Sequence, residues 1–366
     1  MSRYLFGLKY IAFIVLGICV TVTSNCQVLK GIVLDKPTGN PVSFAAVYFD
    51  GSSVGTNTDK NGYFEIDISG HLSVPLIISA LGYYSSTVQY PSQDVSYEIR
   101  LTPKIYDLGE VVISTKSTWK EKMQRKKNLE LFRQQFLGNT MNAKKCAILN
   151  EDEILFKTVS SSDKKNRTND AKKICPDTLF AFSSKPLIIV NKALGYKITF
   201  SLDRFEFSYF PDNSLFRGVD GLSVDGHAFF EQFETHDDKE IGQFERKRKS
   251  AYLGSRMHFL RALYDNSIDS TGFRITGFAK NNISEAPIVF DKDSISQTSV
   301  VKCLKYCGGG FYIAYYSKRP SSFLSLKGCE LLFNRNVILN PDAMSWGGEM
   351  ADQRIGDLLP NNYEFR

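Results

Sequence analysis

The stretch that most constrains the fold is "GTNTDKNGYFEI", residues 55–66, which predicts a tight turn between two short strands. Its Asn-Gly pair is a strong hairpin signal, because glycine takes a positive φ without steric cost. After the turn, Phe64, Ile66 and Ile68 alternate with acidic residues. Because successive side chains of a strand point to opposite faces, we expect these three to face a core and the acidic residues to face solvent.

The same kind of pattern extends over residues 28–102. Short runs rich in β-branched and aromatic residues follow one another there, separated by turn segments such as "KPTGNP". No segment of helical period interrupts them. Closely spaced strands and turns of this kind predict a small antiparallel β-sandwich.

The segment "GIVLDKPTGNPVSFAAVYFDGSSVGTNTDKNGYFEI" resembles the carboxypeptidase-regulatory-like domain, a transthyretin-like sandwich of seven strands. The residues that carry the resemblance are Gly31, Val33, Asp35, Gly39, Pro41, Val42, Ala45, Val47, Gly55, Thr56, Thr58, Asp59, Gly62 and Phe64. Gly82 and Tyr83 fit the "GY" turn of the same family. The resemblance covers nearly all of residues 27–102. It implies an N-terminal domain of exported outer-membrane proteins of Gram-negative bacteria, and it implies no peptidase activity.

Residues 1–26 have the features of a secretory signal peptide. Arg3 and Lys9 precede a short apolar run, and small or polar residues follow it. We expect cleavage near Cys26, with lipidation of Cys26 as the alternative, and export to the periplasm or the outer membrane. No later apolar run is long enough to cross a bilayer as a helix, so no transmembrane span is expected in the mature chain.

Residues 103–117 are predicted to be a linker. Their "LGEVVI" resembles the segment that leads from this domain into 22-stranded receptor barrels. About 250 residues remain after the linker, which is too few for such a barrel with its plug and loops. Residues 118–366 are therefore expected to form a separate domain of unknown function.

This second region mixes strands with helices. We expect one helix over "TWKEKMQRKKNLELFRQQFLGNT" and a long amphipathic helix from Asp238 to Tyr264. Arg248 falls within the apolar stripe of the long helix, so it either pairs there or marks a break near Gly254. The predicted fold class is mainly β, α+β: a seven-stranded transthyretin-like sandwich followed by a larger β-rich domain with covering helices.

One long strand pattern changes phase within this region. Ile198 and Phe200 share one face, whereas Phe205 and Phe207 share a face in the opposite register, which predicts a bulge near residues 203–204. Several segments here, among them "RKSAYLGSRMHFLRALY" and "WGGEMADQRIGDLLPNNYEF", resemble an uncharacterised C-terminal region that accompanies the same sandwich in exported envelope proteins. That resemblance implies no activity and no functional residue.

Five cysteines remain after the predicted leader: Cys146, Cys175, Cys303, Cys307 and Cys329. An odd number in an exported protein leaves at least one thiol unpaired. Cys303 and Cys307 are expected on one strand, about 13 Å apart, which is too far for a mutual disulfide. The pairing of the others is left open.

The sequence assigns no catalytic residue, metal ligand or cofactor. The four histidines are His71, His227, His236 and His258, and Glu231 and Glu234 lie between the second and third. Neither HExxH nor the His-x-x-Glu pair of zinc carboxypeptidases occurs. Convergence of three or more of His227, Glu231, Glu234, His236 and His258 in a pocket would favour a hydrolase. Four acidic residues of the sandwich lack the loop spacing of a calcium site: Asp35, Asp59, Glu65 and Asp67.

The expected function is that of a non-catalytic exported cell-envelope binding or accessory protein. A net charge of +6 over 366 residues, without a recognised motif, does not indicate a nucleic-acid partner. One alternative is a saccharide-binding module of a nutrient-uptake system, which would use exposed rings such as Tyr315 and Tyr316. A hydrolase is the other. The basic residues from Lys120 to Lys127 could contact anionic lipid or simply face solvent.

Overall fold

The computed structural model describes residues 27–69, 71, 74–89, 91, 96–104, 118–160, 176–210, 219–279, 282–284, 289–290, 295–296, 299–300, 302–305, 309–317, 319, 321–328 and 330–365. Three predictions lie wholly or mostly outside these residues: the signal peptide over 1–26 with the lipidation of Cys26, the linker from residue 105 onward, and any pairing of Cys175, Cys307 and Cys329. Among the described residues, no helix combines the length and the apolar character needed to cross a bilayer.

The N-terminal region is a sandwich of seven strands, as predicted. The strands are β1 (Val28–Asp35), β2 (Ala46–Phe49), β3 (Gly55–Asn57), β4 (Tyr63–Asp67), β5 (Leu76–Ser79), β6 (Ser86–Val88) and β7 (Tyr97–Leu101). One sheet has the order β4-β1-β7 and the other has the order β3-β2-β5-β6. One pairing departs from the antiparallel expectation, because β1 and β7 run parallel. The chain passes through both sheets between these two strands, which allows β7 to return in the direction of β1.

The tight turn at residues 59–63 forms as its sequence predicts, but the strands that it joins do not form a hairpin, because β3 pairs with β2 in one sheet and β4 pairs with β1 in the other. Asp59 Oδ1 accepts hydrogen bonds from the backbone N–H groups of Asn61 (2.8 Å) and Tyr63 (2.9 Å). Gly62 has a φ of +78°, and a Cβ there would lie 2.6 Å from the carbonyl oxygen of Val33. The predicted inward face of β4 is confirmed, since Phe64 and Ile66 are both buried in the sandwich core.

The second region begins with α1 (Trp119–Phe136), which covers a six-stranded sheet. The strands of this sheet are β8 (Cys146–Ile148), β9 (Ile154–Val159), β10 (Asp177–Ser183), β11 (Leu187–Asn191), β12 (Tyr196–Tyr209) and β13 (Val219–Gln232). The two halves of β12 pair with β11 and β10 on one side, and β13 pairs along its other side. The predicted bulge is present as a register shift between Leu202 and Arg204.

Helix α1 has the boundaries that its sequence signals. A capping box joins Thr118 and Glu121 at its start, and Gly138 follows its end with a φ of +98°. Phe132 and Phe136 are buried against Phe205 and Phe200, with ring centroids 4.7 and 5.1 Å apart. The helix therefore covers the sheet on the two sides of the bulge.

The last part of the chain adds two helices and further strands. They are α2 (Asp238–Tyr252), α3 (Arg256–Tyr264), β14 (Phe273–Ala279), β15 (Asn282–Ser284), β16 (Val289–Phe290), β17 (Ile295–Ser296), β18 (Ser299–Val300), β19 (Lys302–Lys305), β20 (Gly310–Tyr315), β21 (Ser322–Leu326), β22 (Glu330–Phe333) and β23 (Met344–Gly348). The strand orders are β15-β14-β20-β21-β23, β16-β19-β22 and β17-β18. Phe259 and Leu263 of α3 lie in the core with Phe273 and Phe311.

The segment from Asp238 to Tyr264 is not one continuous helix, and the break near Gly254, which the sequence left open as an alternative, is present. The helix ends at Tyr252, Gly254 adopts a φ of +77°, and a new helix begins after Ser255, whose hydroxyl accepts from the N–H of His258 (3.0 Å). A glycine in the left-handed region followed by a serine cap is a strong stop and start signal, and it overrides the continuous apolar period.

Candidate functional site

The loop that follows β2 joins the sandwich to the edge of the second sheet. Gly51 N–H donates to the carbonyl of Ala228 (2.8 Å), and Phe230 N–H donates to the carbonyl of Ser52 (2.9 Å). Ser52 and Phe229 thereby form a parallel β-bridge. The loop thus covers backbone groups of β13 that an edge strand would otherwise expose.

The C-terminal segment, residues 360–364, holds the other side of this loop. Asn361 N–H donates to the carbonyl of Gly51 (2.6 Å), and Asn361 Nδ2 donates to the carbonyl of Asp50 (2.9 Å). Ser53 N–H donates to Asn362 Oδ1 (3.1 Å), and Asn362 Nδ2 donates back to Ser53 Oγ (2.9 Å). The sandwich, the second sheet and the C-terminal segment therefore meet at residues 50–53.

Arg261 of α3 anchors the C-terminal segment. Its side chain, only 2% exposed, donates to the carbonyls of Tyr363 (2.7 Å) and Asn361 (2.9 Å). It also donates to Asn336 Oδ1 at 3.0 and 3.2 Å. All of these acceptors are neutral oxygens. This buried arginine therefore organises backbone that is about one hundred residues away in sequence.

A polar cleft of about 740 Å³ opens beside this junction. Helix α2 forms one wall and the C-terminal segment forms the other, while the N-terminal end of β12 and the C-terminal end of β13 contribute Tyr196 and Gln232. The sandwich contributes Ser53 at its rim. A cleft of this size where domains meet is a common setting for a ligand site.

Tyr196 lies buried in the lining of the cleft. Its side chain is 1% exposed, and its hydroxyl has no hydrogen-bond partner among the described residues. The guanidinium of Arg248 stacks over the ring at 4.1 Å. Burial raises the pKa of Tyr196 to about 12, although the charge of Arg248 opposes the shift. The phenol is therefore neutral at ordinary pH and can donate one hydrogen bond.

The turn before Tyr196 explains how the ring is positioned. Asn191 is fully buried, and its Oδ1 accepts from the N–H groups of Ala193 (3.1 Å) and Leu194 (3.0 Å). Gly195 closes the turn with a φ of +69°, and a Cβ there would lie 2.6 Å from the ring of Phe244. A larger residue at position 195 would therefore push α2 away from the sheet.

Arg248 joins α2 to this turn. Its Nε donates to the carbonyl of Leu194 (2.8 Å), and its Nη2 donates to the carbonyl of Gly195 (3.2 Å). Its position within the apolar stripe, which the sequence marked as anomalous, is thus explained by pairing with backbone. The break at Gly254 occurs as well.

A second group of titratable side chains lies on the far side of the same junction. His227 Nδ1 is 3.1 Å from Asp50 Oδ2, and His227 Nε2 is 3.6 Å from Asp203 Oδ2. Burial alone would lower the pKa of His227, but the hydrogen bond and charge of Asp50, with the charge of Asp203, raise it above its ordinary value. Burial also raises the pKa of Asp203, against the charges of His227 and Lys104.

The five residues that would have converged in a hydrolase are not brought together in the described part of the chain. Glu231 forms an ion pair with Lys197 (2.9 Å), while Glu234 and His236 are exposed. His258 is buried, and its Nδ1 accepts from the N–H of Gly254 (3.2 Å). Burial and the nearby charge of Arg261 lower the pKa of His258 to about 4, so its ring is neutral.

The two tyrosines proposed for saccharide stacking differ from each other. Tyr316 is 77% exposed, whereas the ring of Tyr315 packs on Phe273 with centroids 4.8 Å apart. Neither of them lines the polar cleft. Tyr315 therefore contributes to packing, and the exposed ring of Tyr316 packs edge-on against it with centroids 4.8 Å apart.

The four acidic residues of the sandwich have partners within the protein. Asp35 accepts from the hydroxyl of Thr38, Asp59 from its own turn, Glu65 from Lys30, and Asp67 from the N–H of Ser69. Within the described residues, no group of three or more histidine, cysteine, aspartate or glutamate side chains is placed to hold a metal ion.

A smaller cavity of about 290 Å³, with a mostly apolar lining, lies on the other side of the C-terminal segment. Leu260 of α3, Phe230 of β13 and Trp346 of β23 contribute to its walls. Its lining also includes polar and charged residues, namely Ser255, Arg256, Asn336, Gln353, Asp357 and Asn361. We take the larger cleft as the candidate binding site because its volume lies well within the range of ligand pockets, roughly 300–1,000 Å³.

Sequence reasoning missed Tyr196, Asp50 and the pair Asn361 and Asn362. None of them belongs to a motif, and their roles depend on contacts between distant segments. The one available signal was the charge of Arg248 within an apolar stripe, which predicted a partner without naming it.

Comparison with known proteins identifies only the N-terminal part. Residues 29–113 match the CarboxypepD_reg-like domain family. No curated protein matches the chain. Among solved structures, a 9R-lipoxygenase from Cyanothece PCC8801 aligns at 12% identity over 67% of this chain and 48% of its own length, with a TM-score of 0.17. This chain thus matches about half of the lipoxygenase, and so low a TM-score carries no argument about fold or function. The seven-stranded sandwich together with the family match shows that this protein carries a CarboxypepD_reg-like domain at residues 29–113.

Proposed function

We propose that this protein is an exported cell-envelope binding or accessory protein without catalytic activity, and that its ligand occupies the polar cleft. The CarboxypepD_reg-like domain contributes one residue to the lining of that cleft and is attached beside it. Ser53 reaches the cleft from the sandwich, and residues 50–53 are held from two sides.

The observation that supports the proposal is that several parts of the chain, distant from one another in sequence, form the cleft together. Helix α2, strands β12 and β13, the C-terminal segment and the sandwich all contribute lining residues. Its volume of about 740 Å³ lies within the range of ligand sites, roughly 300–1,000 Å³. A non-catalytic role is supported by the separation of the residues that a hydrolase would bring together: Glu231 pairs with Lys197, Glu234 and His236 are exposed, and His258 lies in an aromatic cluster.

A saccharide is the second candidate for the ligand. Gln232 and Tyr363 both line the cleft. Amides and aromatic rings together can hydrogen-bond hydroxyl groups and cover an apolar sugar face.

The cleft can be closed by one substitution that spares the core. A Cβ at Gly242 would contact only Arg246, at 3.5 Å, so Gly242→Trp would project its side chain at the lining without a backbone clash. Gly221 on β13 has open space around it, and Gly221→Trp is the matched control. The purified full chain is incubated with an envelope extract, and retained molecules are identified by native mass spectrometry.

We expect wild type and G221W to retain the same ligand and G242W to lose it. The ligand should be recovered with unchanged mass after prolonged incubation. Release of a cleaved product by wild type would contradict the non-catalytic proposal, and retention by G242W would place the site elsewhere. Export is tested separately, by fractionation of the source cells with protease shaving.

A further inference from the structure

We infer that the outward face of α1 binds the surface of an anionic phospholipid bilayer. Trp119 and Met123 enter the membrane interface, and four lysines contact the lipid headgroups: Lys120, Lys122, Lys126 and Lys127. No residue of α1 lines the polar cleft, so the inference does not depend on the ligand of that cleft.

Two apolar side chains at the start of α1 project into solvent. The exposed fraction is 74% for Trp119 and 47% for Met123. They are four residues apart, which places them on one side of a helix. At 3.6 residues per turn, Met123 lies about 140° around the axis from the buried Asn128, so this side faces away from the sheet. Tryptophan is enriched at membrane–water interfaces, because its ring is apolar and its N–H is polar.

The four lysines flank this apolar pair. All are exposed, and among the described residues no acidic side chain lies within ion-pair distance of them. Around the helix axis, Lys122 and Lys126 lie on one side of the pair, and Lys120 and Lys127 lie on the other. Lysine stems can lie along apolar surface while their ammonium groups reach lipid phosphates, so this arrangement is typical of a helix at a membrane surface.

The arginines of α1, in contrast, are used within the protein. Arg125 donates to the carbonyls of Ile154 (2.7 Å) and Glu151 (3.1 Å), and Arg133 pairs with the carboxylate of Glu151. The basic segment, for which the sequence left lipid contact and solvent exposure open, is therefore divided. Its arginine attaches the helix to the sheet, and its lysines remain at the surface.

The acidic residues nearby leave this surface positive. Residues 119–127 contain five basic side chains and one acidic side chain, a net charge of +4. The acidic one, Glu121, accepts a backbone hydrogen bond in the capping box. Glu130 lies beyond the lysines along the helix, and the acidic segment 151–153 lies where Arg125 contacts its carbonyls. A cluster of this charge is attracted to anionic lipid.

The choice of lysine favours lipid over an acidic protein. Protein–protein interfaces are enriched in arginine and depleted in lysine, and the planar guanidinium pairs with carboxylates in a fixed geometry. A lipid surface requires no such geometry, because mobile headgroups adapt to each ammonium group. Each lysine close to an anionic membrane surface strengthens binding by about fivefold.

Vesicle co-sedimentation of the chain from residue 27 onward tests the inference. One set of vesicles contains phosphatidylcholine alone, and the other contains equal parts of phosphatidylcholine and phosphatidylglycerol. The test variant changes the four lysines of α1 to glutamine. The control variant has the same net charge, because it changes four exposed lysines elsewhere to glutamine: Lys36, Lys60, Lys239 and Lys327.

We expect wild type and the control variant to bind the phosphatidylglycerol vesicles at least about tenfold more tightly than phosphatidylcholine alone. The test variant should bind the anionic vesicles at least about thirtyfold more weakly than wild type does. Added salt should weaken the binding of wild type, because it screens the lysine charges.

Trp119 reports whether the apolar pair enters the interface. The chain has two tryptophans, so Trp346→Phe leaves Trp119 as the only indole. Its emission should shift to shorter wavelength on anionic vesicles and be quenched by brominated acyl chains. Trp119→Gln should remove this signal and weaken binding by about tenfold. If W346F does not fold, the difference in emission between wild type and W119Q supplies the same signal.

Equal binding to the two kinds of vesicle, or equal binding by the test variant and wild type, would overturn the inference. An equal loss in the control variant would also overturn it, because net charge alone would then explain binding. If poly-L-glutamate bound to the four lysines while vesicles left the emission of Trp119 unchanged, the face would belong to an acidic protein and the choice of lipid would be wrong.

Discussion

At the scale of single residues, two groups govern the junction between the sandwich and the second sheet: the phenol of Tyr196 and the imidazole of His227. Both are enclosed by residues distant in sequence, and both respond to their surroundings in ways that can be measured without knowing the ligand.

The unpartnered hydroxyl of Tyr196 should destabilise the empty protein. We expect Tyr196→Phe and Thr276→Val each to raise the free energy of unfolding by about 1 kcal/mol, because each removes a buried polar atom without a partner. Thermal unfolding of the ligand-free variants provides the measurement. A lower unfolding temperature for Y196F would mean that the hydroxyl already has a partner.

The raised pKa of His227 makes the junction depend on pH. A histidine whose pKa is higher in the folded protein contributes stability that is fully present below its unfolded pKa, near 6.5, and is lost as the pH rises through the folded pKa. The pKa of Asp203 is also raised, so its contribution to stability also falls as the pH rises. This change belongs to the acidic range, because the ordinary pKa of the carboxyl is 3.8. Between about pH 6 and pH 8 we therefore expect His227 to lower the stability as the pH rises.

Urea unfolding at several pH values measures this dependence. His227→Gln and Asp50→Asn should both flatten the stability profile between about pH 6 and pH 8, since either change removes the ion pair between residues 50 and 227. If both variants kept the wild-type dependence of stability on pH, the ion pair between residues 50 and 227 would not be its cause.

At the scale of secondary-structure elements, the pair of helices α2 and α3 depends on two glycines with opposite requirements. Gly242 lies inside α2 with space for a Cβ, whereas Gly254 lies between the helices with a φ of +77° and the ring of Tyr315 2.8 Å from an added Cβ. The same substitution should therefore change the stability of the protein in opposite directions at the two positions.

We expect Gly242→Ala to stabilise the protein by roughly 0.5–1 kcal/mol, because alanine favours the helix more than glycine does. Gly254→Ala should destabilise it by about 1–3 kcal/mol, because the left-handed conformation and the close ring both oppose a side chain. Chemical denaturation of the two variants tests the prediction. Equal changes in the free energy of unfolding for the two variants would show that Gly254 does not maintain the break between the helices.

At the scale of the whole molecule, the C-terminal segment is the part that secures the sandwich. Residues 361 and 362 bond to residues 50, 51 and 53, and Arg261 holds the segment through the carbonyls of residues 361 and 363. The C-terminal segment therefore adds a second attachment to the backbone bonds between residues 51–52 and strand β13.

Arg261→Met should cost about 3 kcal/mol or more, because a buried guanidinium and its hydrogen bonds to several half-buried acceptors would be lost. Arg335→Met is the control: Arg335 also contacts the segment, through Glu364, but its ion pairs are largely solvent-exposed and worth about 1 kcal/mol or less. Hydrogen exchange at the amides of residues 51 and 361 should become faster in R261M and remain near wild type in R335M. Equally protected amides in the two variants would show that Arg261 does not anchor the segment.

The sequence alone determined the features that depend on a few neighbouring residues. These include the tight turn at Asp59, the inward face of Phe64 and Ile66, the bulge before Arg204 and the limits of α1. In each, turn chemistry, alternation or capping acts within about one turn or strand, and that information is present in the local sequence.

Only the tertiary structure decided the site. Tyr196, Arg248 and Asn362 form one cleft because contacts over as many as 311 residues bring the sandwich loop and the C-terminal segment together. No local pattern encodes such contacts, since they arise from packing and hydrogen bonding among elements that each fold by their own local rules.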